Sequence, residues 1–144
     1  MAAFNKFNDF AEQVLKGVHN LSTATLKAAL TNTAPSAANT ILADITQIST
    51  AGGYTGGAGG GLDLDGEVLS ETSGTAKLVI TDEVFTATGA SVGPFRYVVL
   101  YNDSATSPAD ALIGWYDYGS SITLADGESF TIDFDGSVGV ITLA

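Results

Sequence analysis

The chain contains no cysteine. That excludes disulfides, thiolate nucleophiles and cysteine-ligated zinc or iron–sulfur centres. A lone histidine, His19, cannot build a multi-histidine metal site, and no Gly-x-Ser-x-Gly run presents a serine for a hydrolytic triad. Basic side chains are scarce, five against 16 acidic ones, for a formal net charge of −11. Such a charge repels phosphate backbones, so nucleic acid is not an expected partner, whereas a neutral or basic protein surface is. No apolar run exceeds five residues, so no segment reads as a membrane-crossing helix. The opening residues, Met-Ala-Ala-Phe-Asn-Lys-Phe-Asn-Asp-Phe, place acid and amides where a secretion signal needs an apolar core.

What is present is a 144-residue chain, 45% hydrophobic and only 15% charged, with 17 glycines. One globular domain of that length buries roughly 70% of its unfolded surface. Residues 93–103, Gly-Pro-Phe-Arg-Tyr-Val-Val-Leu-Tyr-Asn-Asp, run from a Gly-Pro breaker to an Asn-Asp turn and are dense in β-branched and aromatic side chains. One face reads Phe95, Tyr97, Val99 and Tyr101, and the other Arg96, Val98 and Leu100. Both are mainly apolar, which predicts a central strand covered on each side.

Residues 4–18 carry the helical period. Phe4, Phe7, Ala11, Val14 and Val18 form a stripe widened by Phe10 and Leu15, and Gly17 is the stop. This amphipathic segment either packs on its own domain or docks onto a neighbouring subunit through Phe4, Phe7, Phe10 and Val14. Leu26, Ala28 and Leu30 alternate with Lys27 and Ala29 as a half-buried strand, and residues 40–48 fit either a helical turn or a strand. Residues 51–61 are Gly and Ala apart from Tyr54 and Thr55, which reads as a long mobile surface loop. Without Gly-Lys-Ser/Thr or a strand directly before it, a phosphate-binding loop is not indicated.

The second half reads as successive antiparallel strands at 77–81, 84–88, 93–103, 111–118, 122–124, 129–134 and 138–143. Asp82-Glu83, Asp126-Gly127 and Asp135-Gly136 supply turns between them, the second a hairpin signal. Phe130, Ile132 and Phe134 fall on an inward face. The expected fold is all-β, an antiparallel β-sandwich or jelly-roll-like domain over 21–144 with a short N-terminal amphipathic helix within 1–20.

Candidate chemistry is thin. Asp63-Leu64-Asp65-Gly66 and Asp133-Phe134-Asp135-Gly136 could offer oxygens to calcium, but neither completes a calcium loop, and Asp-Gly favours tight turns. His19 reads as a structural or surface residue. Tyr116 and Tyr118 share a strand face opposite Trp115, a pattern suited to core or interface packing and, less readily, to stacking on a sugar. Arg96, the only arginine, could pair internally or anchor a partner's carboxylate.

Phe-Ala-Glu (10–12), Lys-Gly-Val-His-Asn-Leu (16–21), Leu-Lys-Ala-Ala-Leu-Thr-Asn-Thr-Ala-Pro (26–35), Gly-Gly-Tyr-Thr (52–55), residues 93–103, and Tyr-Asp-Tyr-Gly-Ser-Ser-Ile-Thr-Leu-Ala-Asp-Gly-Glu-Ser-Phe-Thr-Ile (116–132) span nearly the whole chain. In that order they resemble a family of small virion proteins of tailed bacteriophages, associated with capsid decoration, or cement, proteins. The resemblance implies a non-enzymatic protein without cofactor or metal. Assembled in the host cytoplasm, it would sit on the capsid surface and bridge subunits of the major capsid protein. It would act there as a homo-oligomer, a trimer being one form, with no nucleic acid or membrane partner. Phe4, Phe7, Phe10, Val14, Arg96, Tyr116 and Tyr118 are the expected partner-binding residues. The alternative is a tail or fibre module touching a host glycan through Tyr116, Tyr118 and the Gly-rich loop.

Overall fold

A computed structural model describes residues 2–144 of the chain. The described residues form an all-β fold of antiparallel sheets with one short α-helix. Its largest sheet is built from β1 (Phe4–Lys6), β2 (Leu26–Thr31), β3 (Leu62–Asp63), β7 (Val92–Thr106) and β8 (Ala109–Leu124), in the order β1-β8-β7-β2-β3. Two smaller sheets accompany it. One joins β4 (Val68–Thr72), β5 (Thr75–Val79) and β10 (Ile141–Leu143) in the order β10-β5-β4, and the other pairs β6 (Glu83–Thr86) with β9 (Ser129–Ile132).

The strand expected at 93–103 is the middle of the largest sheet. β7 has β8 on one side and β2 on the other, and Val98, Val99, Leu100 and Tyr101 are all buried. Its two faces differ from a simple alternation, however. Phe95 pairs with Ile122 and Tyr97 with Asp117, so two steps along β7 are matched by five along β8. The surplus, residues 118–121, bulges out of β8. Across the same irregularity Phe95 joins Val98 and Leu100 in one core, while Val99 and Tyr101 belong to the other. A bulge shifts side-chain parity, which period-two reading cannot anticipate. The Gly93-Pro94 breaker likewise falls inside β7, at the register shift between Val92 and Phe95. A side chain on Gly93 (φ +121°) would meet the Ile122 carbonyl at 2.8 Å.

The main core lies between the large sheet and the two small ones. Leu26, Leu30, Phe95, Val98, Leu100 and Ile113 of the former meet Leu78, Phe85 and Ile132 of the latter, together with Ile80 just after β5 and Phe134 just after β9. Fully burying such a side chain is worth about 1.5–3 kcal/mol, so this contact dominates the fold. The opposite face of the large sheet is covered by Phe7 and by Leu42 and Ile45 around a 3-10 turn at Leu42–Asp44, packed on Ala29, Val99, Tyr101 and Leu112. β2 is therefore buried on both faces rather than half-buried, with Ala29 as well as Leu30 inaccessible.

Three expectations need correction. The N-terminal helix is α1 (Asn8–Leu15), shorter than 4–18, because Phe4–Lys6 instead pairs with β8 as β1. Gly114 makes that possible, since a Cβ there would come within 2.2 Å of the Phe4 ring and 2.6 Å of the Asn5 carbonyl. Leu15, counted in the apolar stripe, is 90% exposed, whereas Phe7 and Phe10 are buried within the domain. The second correction concerns residues 51–61, which do not form a loose surface loop. Tyr54 is buried, its hydroxyl accepting from Leu30 N (2.9 Å) and donating to Gln47 Oε1 (3.0 Å), and Tyr101 Oη donates to the Gly60 carbonyl. Third, the hairpin expected at Asp126-Gly127 does not form, and the Asp82-Glu83 turn joins strands of different sheets. The chain changes sheets at each, β5 pairing with β4 and β10 while β6 pairs with β9, and the segment 122–124 is the end of β8. The hairpin β4–β5 turns instead at Ser73-Gly74, both with positive φ, as a two-residue primed turn requires.

Candidate functional site

The bulge in β8 shapes the most distinctive surface of the molecule. Arg96 Nε donates to Asp117 Oδ1 at 2.7 Å and Arg96 Nη2 to Asp117 Oδ2 at 2.9 Å, a bidentate ion pair between β7 and β8. The guanidinium carbon also lies 5.2 Å from the centre of the Tyr97 ring. The hydrogen bonds from Arg96 and from Gly119 N hold the Asp117 carboxyl below the usual carboxylate range. Arg96 thus serves an internal pair, and the alternative in which it awaits a partner's carboxylate is not what the fold builds.

Beside this pair runs an open groove of about 430 Å³, lined on one side by Tyr116, Asp117 and Tyr118 of β8 and on the other by Phe130, Thr131, Ile132 and Asp133 in and just after β9. Val98 and Ala2 complete its lining. Tyr116 is wedged between Phe4 (5.4 Å between ring centres) and Phe134 (6.0 Å), and burial with the nearby Asp135 charge pushes its hydroxyl up to about 12. Tyr118 is different: it touches Phe130 edge-on at 5.8 Å yet remains 55% exposed.

The other expected partner-binding residues are drawn inward. Phe7 stacks on Trp115 at 4.7 Å, on the sheet face opposite Tyr116, and Phe10 stacks on His19 at 5.1 Å. Phe4 and Val14 are partly buried against the main core. Phe7 and Phe10 are therefore core residues and not a docking face, and of the seven only Tyr118 is well exposed. Tyr116 and Tyr118 share the groove, whereas no residue of the Gly-rich loop lines it.

His19 is buried, with Nδ1 3.4 Å from the Asn102 amide, and burial pulls its basicity down. Each Asp-x-Asp-Gly run has a local use. Asp135 Oδ1 accepts from Ser137 N (2.9 Å) and Val138 N (2.8 Å), closing the turn before β10. Asp63, with Asp103, flanks Lys27 Nζ at 3.3 and 3.5 Å, and that ammonium also donates to the Gly59 carbonyl at 2.7 Å. Among the described residues no three His, Asp or Glu side chains converge as metal ligands would.

A second concavity, of about 530 Å³, lies between the 3-10 turn and the Gly-rich loop, lined by Leu42, Ile45, Gln47, Ile48 and Asp110 among others. Sequence reading missed Asp117, Phe130 and Asp133 as groove residues. The signal available was Asp117 between two tyrosines and just before Ser120-Ser121, a polar interruption that a straight strand does not need. Compared with protein-family models, with curated proteins and with solved structures, the chain matches none.

Proposed function

We propose that this protein is a non-enzymatic structural component of a tailed-phage virion that decorates the capsid and stabilises it by bridging major capsid subunits. The observation that carries the reading is the ordered set of motifs resembling small phage virion proteins along nearly the entire chain. The distribution of surface apolar residues supports it. Val68 and Leu69 on β4, Val84 on β6, Val138 and Leu143 near or on β10, and Leu15 at the end of α1 are all well exposed. Covering such residues across subunit joints gives each copy a modest affinity, and repetition on a lattice multiplies it.

Binding to the intact shell alone must stabilise that shell by mass action. Purified protein added to bare, expanded shells should raise their disruption temperature until sites fill, after which the effect reaches a plateau. If the protein ignores shells but attaches to tails or to host cells, the decoration reading fails and a tail module replaces it.

A further inference from the structure

We propose that the groove between β8 and β9 receives an extended, lysine- or arginine-bearing segment of a different protein, which adds to the sheet edge as a strand. The groove is met edge-on by both its walls. Three consecutive residues of β8 and four consecutive residues at β9 line it, and a strand presenting its face would contribute only alternate ones. β9 pairs only with β6, so its other edge carries no strand. On the side of β8 away from β7, β1 pairs from Gly114 to Tyr116 and stops there, so no strand continues beside Asp117 and Tyr118 on that side, where Ala2 reaches the groove. Two bare edges across an apolar floor suit strand addition, in which main-chain bonds supply affinity and alternate side chains supply choice.

Charge selects the occupant. Asp133 stands exposed at the rim beside Tyr118 and Phe130, a carboxylate next to aromatic rings, which favours a cationic side chain. The net charge of −11 steers basic segments toward the protein. A second copy fits poorly, because this chain has only five basic residues. Lys16 is paired with Glu12, Lys27 with Asp63 and Asp103, and Arg96 with Asp117, while Lys77 donates to the Ser137 carbonyl, which leaves the exposed Lys6 of β1 as the single basic side chain on hand among the described residues.

The test titrates the intact protein with a capped peptide alternating lysine and valine, and with its glutamate–valine counterpart, followed by amide NMR and hydrogen exchange. The lysine peptide should bind saturably, shift residues 116–118 and 130–133, and newly protect β9 amides. The glutamate peptide should not. Tyr118→Ala should weaken binding about tenfold and Asp133→Asn roughly threefold, while both variants keep a native spectrum, since both side chains lie at the surface. Absence of saturable binding, equal binding of the two peptides, shifts elsewhere, or self-association through these residues would each overturn the proposal. No shell enters this assay, so its outcome is separate from that of the shell titration.

Discussion

One oxygen of Asp117 ties two elements together: Oδ1 accepts from Arg96 Nε on β7 at 2.7 Å and from Gly119 N in the bulge at 2.8 Å. The Asp117 carboxyl should titrate below the ordinary aspartate range when followed by carbon-detected NMR. In Arg96→Ala its midpoint should rise, though not fully, because the Gly119 amide still donates. The sign follows from linkage. A carboxyl depressed in the folded state contributes stability above its unfolded pKa, and that contribution disappears as pH falls through the folded value. Since Arg96 is engaged internally, Arg96→Ala should leave shell binding intact if the fold survives.

His19 gives the opposite chemistry with the same direction in pH. Burial favours its neutral form, so the unfolded chain binds a proton more readily below about pH 6.5. Stability should therefore fall as pH is lowered from 7.5 to 5.5, by at most about 1.4 kcal/mol per pH unit from this one group. His19→Gln should flatten that portion of the profile in urea titrations. An unchanged slope would show that the imidazole titrates normally.

Tyr54→Phe keeps the ring but removes the oxygen that accepts from the buried Leu30 amide. Leaving such a donor unpaired costs about 1–3 kcal/mol, which chemical denaturation can read. Faster exchange of the Leu30 amide should accompany it.

Gly114→Val should expel the Phe4 ring and separate β1 from β8, because the added Cβ meets the Asn5 backbone as well as the ring. Exchange protection should be lost at Phe7, whose N–H donates to the Ile113 carbonyl across this seam, and at Trp115, opposite Asn5 in the same register, while the β7–β2 ladder keeps its own. Protection unchanged at both sites would mean that β1 can shift without detaching.

The central strand was legible because residues 93–103 are apolar on both faces, but its ends were not, since Gly93-Pro94 and Asn102-Asp103 lie inside β7 instead of bounding it. β4 was not, since Val68-Leu69-Ser70-Glu71-Thr72 is exposed throughout and carries no burial pattern. The partners of β6 and β9 were hidden for another reason. Asp-Gly specifies a tight reversal, but whether the next strand stays in the same sheet depends on where distant apolar faces find cover. The Phe4–Lys6 strand depended on Gly114, more than a hundred residues away, and no local period could report it. The groove was the least legible feature, being made by a mismatch in strand length between β7 and β8.

The bare outer strand β4 also offers a practical handle. Thr72 is exposed at the tip of the β4–β5 hairpin, across the chain fold from the β8 bulge in sheet membership and joined to no residue of the groove. Because the natural chain has no thiol at all, Thr72→Cys would create a unique attachment point for a fluorophore or a gold cluster. A single label at a known corner of the domain would then report, in images of whatever particle the protein occupies, which way up each copy sits.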